Sequence, residues 1–168
     1  MDDLDLTPIT DHANVVVDLR YSTSNNVLGK RIASQLAPLA TAEVAEALGV
    51  IADRLKLQGL QLVVWDAYRT VDTQGYLKKL VDDERYVSGR SNHLKGLAVD
   101  VTLADKNGKY LDMGTDFDDF TDRANSNYAK LNAVQTQNRK TLKEALERAG
   151  FKQWEFEWWH FDYPANRV

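Results

Sequence analysis

The stretch LAVDVTLADKNGKYLDM, residues 97–113, decides the fold class. Its first seven residues alternate well enough for a strand. The pair Asn107-Gly108 suits a type I′ turn, so residues 110–113 are predicted to return as the second strand of a hairpin. A hairpin here indicates a sheet that is mainly antiparallel.

The segments around this hairpin read alternately as strands and helices. Thr41 is predicted to cap a helix that runs to about Gln58, although Gly49 inside it costs about 1 kcal/mol relative to Ala. Further strands are predicted at residues 15–19 and 60–65 with one or two in 151–163, and further helices at about 71–83 and 135–149. The sequence therefore predicts an α+β fold, with helices flanking a mainly antiparallel central sheet, as a single domain over residues 1–168.

Composition excludes several classes of protein. The 168 residues carry 21 Lys and Arg against 25 Asp and Glu, a net charge of −4, which argues against a nucleic-acid partner. No apolar run approaches the ~18 residues that span a bilayer, and the acidic N-terminus does not resemble a signal peptide, so we expect a cytoplasmic protein without a membrane partner. With no Cys, disulfide scaffolds and thiolate sites are ruled out. The oligomeric state is not indicated.

The decapeptide SNHLKGLAVD, residues 91–100, is a candidate metal-binding segment. A tight turn at Gly96 would let the chain double back, so that His93 and Asp100 meet at one cation. Asp100 is flanked by valines, and an acid within an apolar strand is costly unless it is paired or metal-bound. The alternative is a histidine in a turn and an aspartate that caps a helix or pairs with a lysine.

A second candidate segment, EWWH, covers residues 157–160. Imidazole and carboxylate suit Zn²⁺, and three such ligands plus one water make a catalytic site, which His160 would complete. Glu157 beside that site can take a proton from water and pass it to a leaving amine. The alternative is an aromatic core strand. The third histidine, His12, lies in a polar segment and reads as a surface imidazole.

Arg69 follows the strand predicted at residues 60–65. At the end of a strand, an arginine can stabilise the oxyanion that forms when water attacks a peptide carbonyl. The alternative is an ion pair with Asp66 or Asp72.

Motifs along nearly the whole chain resemble the D-alanyl-D-alanine dipeptidases of the vancomycin-resistance type, within the wider group of zinc D-Ala-D-Ala peptidases. The motifs are, in order, DLRY at residues 18–21 with the loop 26–29, DAYR at 66–69, SNHxxGxAxD at 91–100, DMGxxFD at 112–118 and EWWH at 157–160. The resemblance departs from the family pattern at Thr70, where Pro is usual, and at Leu94-Lys95, where Ser-Arg is usual. These departures bear on rate and substrate range.

The resemblance implies a role for each candidate residue. Three side chains would hold one Zn²⁺ per chain: His93, Asp100 and His160. Glu157 would be the general base and then the acid, and Arg69 would stabilise the oxyanion. Three more would hold the ends of a short substrate: Tyr21, Ser91 and Asp118, the last pairing with the free ammonium. Their alternative interpretations are a core aromatic residue, a turn former and a helix cap, respectively.

The implied activity is zinc-dependent hydrolysis of D-Ala-D-Ala to two D-alanines, for turnover of cell-wall precursors or recovery of D-alanine. One rival is a D,D- or L,D-carboxypeptidase that acts on longer muropeptides. The other is a catalytically silent metal-binding module on the same fold.

Overall fold

The structure is a computed structural model that describes residues 4–164. Its helices and strands along the chain are β1 (Leu6–Pro8), β2 (Val15–Val17), β3 (Leu39–Thr41), α1 (Ala42–Lys56), β4 (Leu60–Asp66), α2 (Val71–Leu80), β5 (Ala98–Asp105), α3 (Ala133–Glu147), β6 (Lys152–Gln153) and β7 (His160–Asp162). Among these helices, none combines the length and apolar character needed to cross a bilayer.

The larger sheet has the strand order β2-β4-β5-β7-β6. β4, β5, β7 and β6 pair antiparallel in turn, whereas β2 pairs parallel with β4. The parallel pair arises because α1 crosses over between these two strands, the connection that parallel strands require. β1 and β3 form a separate antiparallel pair. The predicted α+β class with a mainly antiparallel sheet is confirmed, with one parallel edge pairing that the sequence did not indicate.

Helix α1 forms the central packing element of the core. Thr41 caps it as predicted, since its side chain accepts a hydrogen bond from the backbone N–H of Val44 at 3.4 Å. Its apolar stripe is fully buried and the helix packs against β4; the stripe comprises Val44, Leu48, Ile51 and Leu55. Helix α3 begins two residues before its predicted start, because Asn132 and Gln135 form a capping box. Helix α2 ends at Leu80, three residues earlier than predicted.

The predicted return strand at residues 110–113 is wrong. Only a single bridge, between Ala104 and Tyr110, forms after the turn. Side chains of α3 capture the following carbonyl groups instead: Asn138 donates to the carbonyl of Asp112 at 2.8 Å, and Arg139 to that of Met113 at 2.7 Å. A backbone whose carbonyls are bonded to a helix cannot extend the sheet, so the chain leaves it there.

The ring of His12 lies against Gly49 in α1. A Cβ atom at position 49 would stand 2.3 Å from His12 Nδ1 and 2.7 Å from Cγ, so the glycine permits this close approach. His12 is therefore half-buried on the helix, rather than the surface imidazole that the sequence suggested.

We expect Gly49→Ala to destabilise the protein by about 1–3 kcal/mol, because the overlap with His12 outweighs the gain in helix propensity. Gly75→Ala in α2 is the matched control, since nothing lies within 4 Å of a Cβ there. It should stabilise by up to about 1 kcal/mol. Chemical denaturation measures both changes. Adding His12→Ala should reverse the Gly49→Ala loss, and a double variant as unstable as Gly49→Ala would contradict this account.

Candidate active site

Three ligand atoms converge at one point beside the central sheet. His93 Nε2 lies 3.2 Å from His160 Nδ1 and 3.3 Å from Asp100 Oδ1, and the latter two atoms are 3.1 Å apart. A tetrahedral zinc ion with bonds of 2.0–2.2 Å places its ligand atoms about 3.3–3.6 Å apart. The observed separations of 3.1–3.3 Å lie at or just below the lower edge of that range, and two imidazoles with one carboxylate are a ligand set that Zn²⁺ binds, so the residues fit Zn²⁺.

The backbone brings the three residues together by a turn and a strand pairing. His93 lies in a 3₁₀ turn, Asn92–Lys95, which Gly96 ends with a φ of 67°. A Cβ at Gly96 would stand 2.6 Å from a methyl group of Leu6 and 3.1 Å from the backbone nitrogen of Thr41, so the close approach and the positive φ both favour glycine here. Asp100 in β5 then pairs directly with His160 in β7. The predicted turn at Gly96 is thus present.

A backbone carbonyl fixes the tautomer of His93. Its Nδ1 lies 2.5 Å from the carbonyl oxygen of Ala67, which can only accept a hydrogen bond. Nδ1 therefore carries the proton, and Nε2 presents its lone pair to the other two ligand atoms.

Glu157 lies beside the ligand atoms, with Oε2 3.8 Å from His160 Nδ1. Its side chain is buried, and burial raises the pKa of its carboxyl well above the ordinary value, against the opposing effect of His160. A carboxylate with a raised pKa in this position is suited to accept a proton from water and to release it again.

Arg69 is held by three side chains. Its Nε donates to Asp66, Nη1 to Gln74 Oε1 at 3.0 Å, and Nη2 to Asp100 Oδ2 at 3.0 Å. Of the two ion pairs considered from the sequence, the described residues thus show the one with Asp66 and not the one with Asp72. Three of the five N–H groups of the guanidinium are engaged. The other two remain available for an oxyanion.

Thr70 stands between Arg69 and the first residue of α2. Its side chain accepts a hydrogen bond from the backbone N–H of Thr73 at 3.2 Å and so caps α2. A side-chain cap of this kind stabilises the first turn of a helix. A proline at the first helical position also stabilises that turn, by fixing φ.

Tyr21 and Asp118 form a buried pair. The Tyr21 hydroxyl donates to Asp118 Oδ2 at 2.8 Å, and the Arg69 guanidinium lies 5.1 Å from the centre of the Tyr21 ring. Asp118 has a φ of 58°, a conformation that is unusual for a residue with a side chain. Burial raises the pKa of its carboxyl to about 7. Tyr21 is also a core aromatic residue against Phe117, whereas Asp118 does not cap a helix.

Ser91 shapes the turn that carries His93 and also faces a cavity. Its hydroxyl oxygen accepts from the His93 backbone N–H at 3.3 Å. The cavity, of about 190 Å³, has Ser91, Glu157 and His160 in its wall. That volume is below the ~300–1,000 Å³ of sites for drug-sized ligands and suits a small one. Its wall does not include Tyr21 or Asp118.

Two residues that contact the candidate site were not predicted from the sequence, Gln74 and Asp162. Gln74 holds Arg69 from α2, and nothing in the sequence distinguishes it from other polar residues of that helix. The Oδ1 atom of Asp162 lies 3.2 Å from His160 Nε2. Asp162 follows His160 by two residues on the same strand, and side chains two apart on a strand lie on the same face. This spacing could have identified Asp162 as a neighbour of His160.

Comparisons with known proteins agree on one family. The Peptidase M15 family model, described as D-ala-D-ala dipeptidase, matches residues 4–168. A D-alanyl-D-alanine dipeptidase of Escherichia coli K12 is 34% identical, over 95% of this chain and 86% of that protein. One of Enterococcus faecium is 27% identical, over 86% of this chain and 83% of that protein. The solved LdcB LD-carboxypeptidase covers 99% of this chain and 71% of its own, with a TM-score of 0.52 and 21% identity, and so shares the fold.

We expect Asp118→Asn to stabilise the zinc-free protein at high pH. With a folded pKa of about 7 against ~3.9 unfolded, the native state retains a proton that the unfolded state releases, so stability falls as pH rises through this window. Asparagine is neutral, tolerates the positive φ and can still accept from Tyr21. In a chelator, thermal unfolding should show a midpoint roughly 3–10 °C above the parent's at pH 8 and no difference at pH 4.

The control for this prediction is Asp82→Asn, an exposed carboxylate whose side chain makes no hydrogen bond among the described residues. It should leave the midpoint unchanged at both pH values. An Asp118→Asn gain that is equal at pH 4 and pH 8 would mean that the substitution acts through packing rather than charge.

Proposed function

Because the chain belongs to the D-Ala-D-Ala dipeptidase family of the M15 peptidases, we propose that it hydrolyses D-Ala-D-Ala to two D-alanines in a zinc-dependent reaction. The observation that carries the proposal is the convergence of His93, Asp100 and His160 within 3.3 Å of one another, with Glu157 beside them. Three ligands and a neighbouring base are what a catalytic zinc site requires.

The chain's own residues supply the proton transfers and the charge stabilisation. When bound, zinc supplies a Lewis acid that acidifies water and polarises a carbonyl. Glu157 accepts the proton of the attacking water at a carboxylate oxygen and then delivers it to the nitrogen of the departing D-alanine. The two remaining N–H groups of Arg69 donate to the oxygen on which negative charge develops. Asp66 and Gln74 keep the guanidinium from rotating away.

The ends of the substrate are assigned to Tyr21, Ser91 and Asp118. The buried carboxylate of Asp118 has Tyr21 as its hydrogen-bond donor, and an ammonium would offset the cost of its burial. Ser91 stands at the cavity wall, where its hydroxyl can donate to the substrate carboxylate. A site that reads both free ends accepts a dipeptide and rejects longer peptides, whose ends lie too far apart.

The remaining features of the proposal concern the whole chain. We propose one Zn²⁺ per chain and a single peptidase domain over residues 1–168, which the family match to residues 4–168 supports. The net charge of −4 supports the absence of a nucleic-acid partner. The proposed place of action is the cytoplasm, in turnover of cell-wall precursors or recovery of D-alanine.

The test is release of D-alanine from D-Ala-D-Ala and from N-acetyl-D-Ala-D-Ala, each with zinc and with a chelator. We expect cleavage of the free dipeptide alone, loss of activity in the chelator and its recovery when zinc is added back. Acetylation removes the ammonium that Asp118 is proposed to bind, so the acetylated substrate should resist.

Two other outcomes would point to the rival functions. Equal cleavage of the acetylated peptide would indicate a carboxypeptidase that does not read the amino end. A protein that binds zinc but cleaves neither peptide would be a silent metal-binding module.

Glu157→Gln should reduce kcat by about 10²–10⁴-fold while the protein still binds zinc, because an amide cannot accept the proton. Metal content after dialysis and the rate of D-alanine release are the two measurements. Glu155→Gln is the matched control, an exposed glutamate two residues away, and should change neither. If Glu157→Gln also abolished zinc binding, Glu157 would be a ligand rather than the base.

A further inference from the structure

The imidazole of His160 has a carboxylate on the side opposite to the other ligands. Its Nδ1 faces Asp100, whereas its Nε2 lies 3.2 Å from Asp162 Oδ1. His160 and Asp162 both belong to β7, where they lie two positions apart on the same face. His93 differs, since the second nitrogen of its ring is held by a backbone carbonyl. Asp66 Oδ2 also lies 3.8 Å from His93 Nδ1, which is beyond hydrogen-bond distance. Of the two imidazoles, that of His160 is therefore the one whose second nitrogen is hydrogen-bonded to a side chain.

Asp162 is itself held by the segment that carries His93. The side-chain amide of Asn92 donates to the same Oδ1 atom at 3.0 Å, and Asn92 opens the 3₁₀ turn in which His93 is the second residue. One carboxylate oxygen thus joins the strand of His160 to the turn of His93. Asp162 is half-buried, so this contact is partly shielded from water.

A histidine binds a metal through Nδ1 only when the proton resides on Nε2. An acceptor at Nε2 selects that tautomer, fixes the rotation of the ring and makes the imidazole a better electron donor. We propose that Asp162, held by Asn92, is a positioning residue that orients His160 and raises the zinc affinity of the site. This inference rests on the proposed zinc-dependent function.

If Asp162 had only a structural role, the expected results would differ. Its backbone pairs with Ala98 on one side and Lys152 on the other, so the residue also belongs to the sheet. These backbone bonds do not need the carboxylate. If the side chain acted on the fold alone, its removal would lower the stability of the zinc-free protein and leave the zinc affinity of the folded protein unchanged.

The experiment compares Asp162→Ala, Asp162→Asn and Asn92→Ala with the parent protein. Zinc dissociation constants are measured by competition with a chromogenic chelator, and thermal unfolding is measured separately without metal. We expect Asp162→Ala to weaken zinc binding about 10–100-fold. Asp162→Asn should weaken it less, since an amide oxygen still accepts from Nε2. Asn92→Ala should have the smallest effect, because it frees the carboxylate without removing it.

Glu155→Gln again serves as the control and should leave zinc affinity unchanged. Zinc binding by Asp162→Ala as tight as in the parent would overturn the inference and leave the proposed function intact. A parent protein that binds no zinc would overturn both, so the two failures are distinguishable. Because the readout is affinity, it does not depend on which peptide the protein cleaves.

Discussion

The structure depends on one buried carboxylate, that of Asp100 at the centre of an apolar strand. Its side chain is about 1% exposed, and its two oxygens have different partners. Oδ2 accepts from Arg69, while Oδ1 faces His93 and His160. Burial alone would raise the pKa of Asp100, but the histidines outweigh it and hold the pKa well below its usual range. A buried charge persists only with such compensation, so the elements around β5 must each bring a partner to it.

The part of the site that lies on regular structure was predictable from the sequence. The acid within an apolar run, the histidine that precedes the turn at Gly96 and the histidine among aromatic residues each carry a local signal, and their three candidate ligand atoms lie within 3.3 Å of one another. The candidate substrate-binding residues were less predictable. Asp118 contacts Tyr21 from a segment that has left the sheet. The preceding carbonyls of that segment are bonded by two α3 side chains distant in sequence, Asn138 and Arg139.

The same distinction explains the remaining differences from prediction. The parallel pairing of β2 with β4 depends on where α1 crosses, which periodicity within either strand does not record. Gln74 is selected by its distance to Arg69 across a turn, not by its neighbours in the chain. His12 seemed isolated because its contact, Gly49, lies 37 positions away in the sequence. Local patterns therefore indicated most of the helices and strands and the candidate metal ligands, whereas contacts made across the fold had to be observed.

The threefold attachment of Arg69 has a consequence for how this protein could be recombined with its relatives. One guanidinium joins the end of β4, the first turns of α2 and the middle of β5. A chimera that takes these parts from different parents would combine partners that had not been selected together, even if each parent were active. Residues 66–100 should therefore come from a single parent. Crossover points for exchanging segments between related proteins are best placed outside this range.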